Sequence, residues 1–164
     1  MAGTTRRHDR ITLNLLVALA RQLRGAPCWP GTSDTAIRIP DRNIRYPDAA
    51  VDCGQFHEEA RVAGNPALVA EVLSPSTMDF DQTEKLEEYR SVPSLRYILV
   101  LDQEQPRARL HTRDAEGHWG SAPHAGLDAE IPLPVLGITL ALAELYEGLT
   151  FRPLPRLVLP EDGA

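Results

Sequence analysis

Several features that mark other classes of protein are scarce or missing in this chain of 164 residues. No apolar run reaches the roughly 18 residues of a transmembrane helix, and the N-terminus lacks the apolar core of a secretory signal. With two cysteines, the chain has too few for a disulfide scaffold or a four-cysteine zinc site. We therefore interpret Cys28 and Cys53 as small buried apolar groups, and we expect a cytoplasmic domain with no membrane contact.

The motifs of several enzyme classes are also missing. The sequence contains no phosphate-binding Walker loop, no GxGxxG dinucleotide motif and no GxSxG nucleophile elbow. Four of its histidines show no metal-ligand spacing such as HxxxH: His57, His111, His118 and His124. These absences argue against nucleotide-driven enzymes, dinucleotide-dependent enzymes and serine hydrolases of the α/β-hydrolase type.

Positive charge is scarce in most of the chain. Residues 1–45 hold eight arginines and three aspartates, whereas residues 46–164 hold nine basic and twenty acidic residues, and the net charge is −6. This balance argues against a protein that coats DNA nonspecifically. It does not exclude a nucleic-acid enzyme, because a cation site needs carboxylates. Lys85 is the single lysine. In an arginine-rich chain an exposed lysine is readily exchanged, so its survival makes it a candidate functional residue.

The apolar pattern predicts one α/β domain over residues 1–152, with a mixed central sheet flanked by helices, followed by a proline-rich tail at 153–164. Residues 5–24 have the spacing of an amphipathic helix. Buried strands at 67–73 and 95–101, with a helix at 81–91 between them, predict a parallel strand–helix–strand unit. We also expect a turn at 27–33, a hairpin of strands 35–39 and 46–53, an edge hairpin at 107–113 and 118–121, a mixed segment at 133–142 and a short helix at 141–148.

Three residues stand out against this pattern. Asp48 lies in a predicted apolar strand, and Glu71 interrupts the apolar run 67–73. A carboxylate in a central strand costs several kcal/mol unless it is paired or bound to a cation. Two such carboxylates on neighbouring strands would repel each other. A Mg²⁺ or Mn²⁺ ion between them would compensate both charges and explain why two carboxylates occur there. Lys85, on the following helix, could then orient a metal-bound water or stabilise charge on a phosphodiester in the transition state.

Structural roles are the alternatives for the same residues. Asp48 could close the turn after the proline that precedes it. Glu71 could end a strand and pair with Arg38 or Arg45, and Lys85 could form a helix-surface pair with Glu88.

Other polar residues near these three are interpreted more simply. Ser74 and Ser76 are expected to cap the turn, although their hydroxyls could touch a phosphate. Tyr46 and Tyr89 are expected in the core, with hydroxyls that could reach the site. His8 is interpreted as a surface histidine, although it could face a phosphate. The remaining acidic residues of this region are expected to cap helices or end strands: Asp79, Asp81 and Asp102.

The blocks that carry these residues resemble one protein family. They are YPD at 46–48, LVAEVLSPST at 68–77, DxxxKLxxY at 81–89 and VPSLxYILV at 92–100. Together they resemble the Uma2 family of restriction-endonuclease-like proteins, within the PD-(D/E)XK nuclease superfamily, from about residue 8 to 149. The resemblance implies a restriction-endonuclease-like fold with a metal site where the strands splay apart.

The resemblance also implies roles for individual residues. Asp48 matches the first metal-binding carboxylate and Glu71 the second. The superfamily motif places a lysine two residues after the second carboxylate, where this chain has Leu73; Uma2 proteins usually carry it on the next helix, and Lys85 matches that position. Family members usually begin with a further hairpin that holds an acidic residue, which we expect this chain to lack; His8 could face the position of that hairpin.

We therefore expect a Mg²⁺- or Mn²⁺-dependent endonuclease that hydrolyses phosphodiester bonds of DNA. Asp48, Glu71 and Lys85 would be the catalytic residues, and the two carboxylates would bind the metal. A homodimer suits an enzyme that cuts both strands. One alternative is a catalytically inactive nuclease-fold module that binds DNA or another protein. Another is a purely structural domain with ion-paired carboxylates, which predicts no response to metal.

Overall fold

The architecture is that of a computed structural model, which describes residues 4–41, 43–74 and 81–153. The helices are α1 (Arg6–Gln22), α2 (Asp81–Arg90) and α3 (Leu142–Leu145). The strands are β1 (Trp29–Thr32), β2 (Ile37–Arg38), β3 (Ile44–Arg45), β4 (Ala49–Asp52), β5 (Pro66–Leu73), β6 (Tyr97–Asp102), β7 (Arg107–Arg113), β8 (Trp119–Ala125), β9 (Glu130–Leu133) and β10 (Ile138–Ala141). None of the helices in these ranges combines the length and apolar character needed to cross a bilayer.

Six strands form one mixed sheet in the order β1-β4-β5-β6-β7-β8. β5 and β6 run parallel with α2 between them in the chain, which confirms the predicted strand–helix–strand unit. The other neighbouring pairs of this sheet are antiparallel. The predicted α/β fold, a mixed central sheet with flanking helices, is confirmed.

Apolar clusters cover both faces of this sheet. On one face, α1 buries Ile11 and Leu15, one turn apart, in the larger cluster. On the other face, Tyr89 of α2 packs in a second cluster that includes Val69 of β5. Because side chains alternate along a strand, Glu71 lies on the same face as Val69. The second acidic candidate therefore points toward α2 rather than toward α1.

Few apolar contacts hold α2 against the sheet. Tyr89 is fully buried and Leu86 partly buried in the cluster on this face. Full burial of a large apolar side chain contributes roughly 1.5–3 kcal/mol. These two anchors lie one and four residues after Lys85, so they hold this part of α2 beside β5.

The predicted hairpin of strands 35–39 and 46–53 is wrong in its pairing. β2 pairs with β3 in a separate two-stranded sheet, whereas β4 pairs with β1, which lies in the segment 27–33 that was expected to be a turn. Pro30 and Gly31 made this segment resemble a turn. At the edge of a sheet a proline is tolerated, because its missing N–H can face away from the partner strand.

The interpretation of the two cysteines as separate apolar groups is also wrong. Cys28 and Cys53 form a disulfide. The antiparallel register of β1 and β4 pairs Trp29 with Asp52, so the residues flanking this pair are brought side by side. In a chain-entropy model, a cross-link over a separation of 25 residues stabilises the fold by roughly 3 kcal/mol. Disulfides are uncommon in cytosolic proteins, so the cytoplasmic location stays a prediction.

Candidate active site

The three candidate residues of the sequence analysis meet at one cavity of about 630 Å³. Its walls come from the first turn of α1, the residue before β4, the end of β5, one face of α2, and strands β6 and β7. Asp48, Glu71 and Lys85 all line it. Residues that are 37 positions apart in the sequence are therefore neighbours in space.

Glu71 is the most buried acidic group of the cavity, with 7% of its surface exposed. Its Oε1 atom accepts a hydrogen bond from the Tyr89 hydroxyl at 2.7 Å and lies 2.7 Å from the Lys85 ammonium nitrogen. Lys85 and Tyr89 are four residues apart on α2 and therefore share a helix face. Burial raises the pKa of Glu71 above its usual range, although the Lys85 charge and both hydrogen bonds act in the opposite direction.

Tyr89 acts as a fixed hydrogen-bond donor to Glu71. Burial, together with the neighbouring carboxylate, raises the pKa of the Tyr89 phenol far above its ordinary value. The hydroxyl therefore keeps its proton at any physiological pH. The expected core position of Tyr89 is confirmed, and its hydroxyl reaches the cavity as well.

Asp48 lies directly before β4 and not inside the strand predicted at 46–53. The antiparallel register pairs Ala49 with Ala70, and one further step places Asp48 alongside Glu71. Asp48 Oδ2 accepts a hydrogen bond from the backbone N–H of Val72 at 2.8 Å. The charge of Asp48 adds to the rise in the pKa of Glu71, as expected for two carboxylates that face one cavity.

His8 is the site residue that the sequence analysis missed. Its Nε2 atom lies 3.1 Å from Asp48 Oδ2, and its side chain is largely buried, which contradicts its interpretation as a surface histidine. The hydrogen bond to Asp48 raises the pKa of His8. A signal was present in the sequence: the buried α1 positions Ile11 and Leu15 follow His8 by three and seven residues, which places all three on one helix face.

Two pairing alternatives considered for these residues are wrong. Arg45 pairs with Glu88 and not with Glu71, and Lys85 pairs with Glu71 and not with Glu88. Tyr46 is 57% exposed, so the expectation that it packs in the core is also wrong. Because Lys85 pairs with Glu71 and not with Glu88, the Lys85 ammonium lies in the cavity.

The described ranges cover only part of the region near β5. Ser74 lines the cavity, and α2 begins at Asp81 as predicted. The other predicted turn and capping residues, Ser76, Thr77 and Asp79, lie outside the described residues, as does the predicted tail beyond 153.

The donor atoms of the cavity fit a hard divalent cation. Glu71 is desolvated and Asp48 repels it, so a cation between the two carboxylates would relieve both effects. The described residues contain no group of three acidic, histidine or cysteine side chains arranged to hold a metal. Mg²⁺ is commonly bound by one or two carboxylates, with waters and substrate phosphates completing its shell. Asp48 and Glu71 are thus the residues that could hold such an ion.

His111 is a second buried histidine, on the β7 wall of the cavity. Its Nδ1 atom lies 3.3 Å from Nη2 of Arg90. Burial, together with the charges of Arg90 and Arg109, lowers the pKa of His111 to about 4. The imidazole is therefore neutral at pH 7 in the folded protein.

We expect His111 to make the fold sensitive to acid. The unfolded imidazole binds a proton below about pH 6.5, whereas the folded one does so only near pH 4. The contribution is therefore present above pH 6.5 and is lost as the pH falls from 6.5 toward 4. At about 1.4 kcal/mol per pKa unit, the loss is at most about 3 kcal/mol. In urea titrations at pH 7.5 and 5, His111→Gln should lose less stability than wild type; equal losses would contradict the assignment.

Comparisons with known proteins agree with this fold. The model of the Uma2 family, described as "Putative restriction endonuclease", matches residues 1–143. The chain is 29% identical to an uncharacterized protein of Synechocystis sp. over 92% of this chain and 80% of the relative. A second uncharacterized Synechocystis protein is 30% identical over 84% of this chain and 80% of its own length.

A solved structure shares the architecture. The crystal structure of "a putative nuclease belonging to DUF820" from Anabaena variabilis superposes with a TM-score of 0.71 at 15% identity, covering 87% of this chain and 82% of that one. This likeness shows a restriction-endonuclease-like α/β fold. With the family match over most of its length, the chain belongs to the Uma2 family.

Proposed function

We propose that this protein is a metal-dependent nuclease that hydrolyses phosphodiester bonds of DNA with Mg²⁺ or Mn²⁺. The observation that carries the proposal is the meeting of two carboxylates with one ammonium at a single cavity, where Lys85 Nζ lies 2.7 Å from Glu71 Oε1. A cation bound by carboxylates and a positive side chain are the groups that phosphodiester hydrolysis needs. The description of the family as restriction endonucleases supports DNA as the substrate.

Each residue has a distinct role in this proposal. Asp48 and Glu71 hold the cation, which when bound polarises the phosphodiester and makes water more acidic. The Lys85 ammonium stabilises the negative charge that develops on the phosphate. Tyr89 and His8 fix the two carboxylates through their hydrogen bonds. In the reaction, the water oxygen bonds to phosphorus, one P–O ester bond breaks, the water loses a proton and the departing oxygen gains one.

The proposal includes a homodimer in the cytoplasm. Two copies related by a twofold axis would place one site against each strand of a duplex. Its direct test is the molecular mass in solution, measured with and without duplex DNA.

One observation favours a second candidate, an inactive nuclease-fold module that binds DNA. Within the described ranges, no three acidic, histidine or cysteine side chains are arranged to hold a metal. If metal affinity depends on a further acidic ligand, the fold would bind nucleic acid without cutting it. The two candidates differ in whether a divalent cation produces cleavage.

The test is cleavage of supercoiled plasmid DNA by the purified protein with Mg²⁺ or Mn²⁺. We expect nicked or linear product that disappears with EDTA and with Asp48→Asn. The matched control, Asp34→Asn, removes the same charge from an exposed residue outside the cavity and should retain activity. DNA binding without any cleavage would favour the inactive module. Cleavage by Asp48→Asn equal to that of the control would contradict the assignment of Asp48 as a catalytic residue.

A further inference from the structure

A second feature of the cavity side of the sheet is the row of basic residues on β7. Ala108 and Leu110 of this strand pack in the cluster beneath α1. Because neighbouring side chains alternate between faces, Arg109, His111 and Arg113 lie on the opposite face, where α2 and the cavity are found. His111 lines the cavity itself, so the row begins at the site.

Arg109 forms no ion pair with any residue in the described ranges, unlike three other cations near the cavity. Arg107 is bound to Asp102 and Arg90 to Glu87, and Lys85 is bound to Glu71. Arg109 is exposed, and its Nη1 atom donates a hydrogen bond to Ser121 Oγ at 3.3 Å. It is therefore an uncompensated positive charge in a chain whose net charge is −6.

The position of Arg109 is continuous with the candidate active site. In the sheet, Glu71 pairs with Val100, and Val100 pairs with Arg109. Val100 lines both the main cavity and an adjoining cavity of about 290 Å³, whose wall includes Arg107 and Arg109. Two strand spacings place the Arg109 backbone roughly 10 Å from that of Glu71.

The surroundings of His111 indicate a positive electrostatic potential at the β7 wall of the cavity. The charges of Arg90 and Arg109 act with burial to lower the pKa of His111. The same positive potential that disfavours a proton on His111 attracts an anion. Arg109, the exposed member of the pair, is the one that can reach a phosphate through its guanidinium fork.

We propose that Arg109 forms a phosphate-binding subsite that holds the DNA strand next to the phosphodiester beside Glu71 and Lys85. This subsite rests on the proposed nuclease function and specifies where the substrate strand runs, from the main cavity across β6 onto β7. Phosphate contacts of this kind position nucleic acid without reading its sequence. The subsite therefore contributes to affinity and to its dependence on salt.

The test is binding of a fluorescein-labelled DNA duplex of 20 base pairs, measured by anisotropy in EDTA at 50 to 250 mM salt. Removing one phosphate contact lowers the slope of log affinity against log salt by about 0.9 for duplex DNA. We expect this change in Arg109→Gln, with an affinity about 3- to 10-fold weaker at the lowest salt. Arg109 is exposed, so the melting temperature should not change.

Arg24→Gln is the matched control. Arg24 is exposed just beyond the C-terminal end of α1, and 14 residues of helical rise place that end of the helix about 21 Å from His8 at the cavity. It should retain the wild-type slope and bind within twofold of wild type. Equal weakening by the two variants, or no weakening by Arg109→Gln, would overturn the subsite but leave the nuclease proposal standing. Absence of DNA binding by wild type in EDTA would overturn the subsite, and absence of plasmid cleavage with Mg²⁺ or Mn²⁺ as well would overturn the choice of DNA as substrate.

Discussion

Replacement of Glu71 by glutamine is expected to abolish measurable Mn²⁺ binding and to lower the rate of DNA cleavage by about 10³-fold, on the scale of removing a principal transition-state group. The reason is electrostatic. In the proposed site, Glu71 and Asp48 would supply the negative charge that compensates the dehydration of a divalent cation, and glutamine has a neutral oxygen in the same place. The measurement is calorimetric titration of Mn²⁺ into wild type and Glu71→Gln.

The glutamine variant should remain folded. Its amide oxygen can still accept the hydrogen bond that Tyr89 donates to Oε1. Lys85 loses its charged partner, but 28% of its side chain is exposed, so water can solvate the ammonium. Removing one member of a fully buried pair would cost 3–5 kcal/mol, and we expect a smaller loss here. Urea titration of both proteins checks this point.

A matched variant separates loss of a ligand from loss of charge. Glu59→Gln makes the same chemical change at an exposed residue outside the cavity and should bind Mn²⁺ like wild type. Unchanged Mn²⁺ heat in Glu71→Gln would exclude this carboxylate as a ligand. No heat in wild type would favour the structural interpretation, in which the two carboxylates serve only as ion-pair and hydrogen-bond partners.

The parts of the fold that the sequence predicted are those with a strong local pattern. The apolar run of β5 predicted a buried strand. The one residue that interrupts this run, Glu71, was for that reason a candidate for the site. The stripe that contains Ile11 and Leu15 identified α1. In each case burial of one face leaves a periodic signal, and that signal is independent of the rest of the chain.

The parts that could not be predicted depend on pairing between distant segments. Pro30 and Gly31 have turn propensity, and only the register of β1 with β4 makes them part of an edge strand. The same register joins Cys28 to Cys53. His8 reaches Asp48 because α1 packs on one face of the sheet and its first turn lines the cavity; the spacing of His8 with Ile11 and Leu15 indicates burial, but no local pattern states which residue it will face. Tertiary contacts determine the strand pairing, the disulfide and the His8–Asp48 contact, and local secondary-structure propensity does not encode them.

The single lysine of the chain leads to the last prediction. Lys85→Met should lower the turnover of DNA cleavage by about 10²- to 10³-fold, the usual effect of removing one group that stabilises transition-state charge. Unlike Glu71→Gln, it should retain Mn²⁺ binding, because both carboxylates remain. Turnover under saturating DNA, together with calorimetric titration of Mn²⁺, separates these two effects.

Lysine and arginine are not equivalent at this position. The Lys85 ammonium makes one short contact with Glu71 Oε1, an atom that it shares with the Tyr89 hydroxyl. A planar guanidinium is larger and favours bidentate pairing, so we expect Lys85→Arg to recover less than a tenth of wild-type turnover. Arg21→Met, which breaks the exposed ion pair with Glu144, is the matched control and should cleave like wild type. Cleavage by Lys85→Met within tenfold of wild type would leave the ammonium a purely structural role, since the transition state would then form without it.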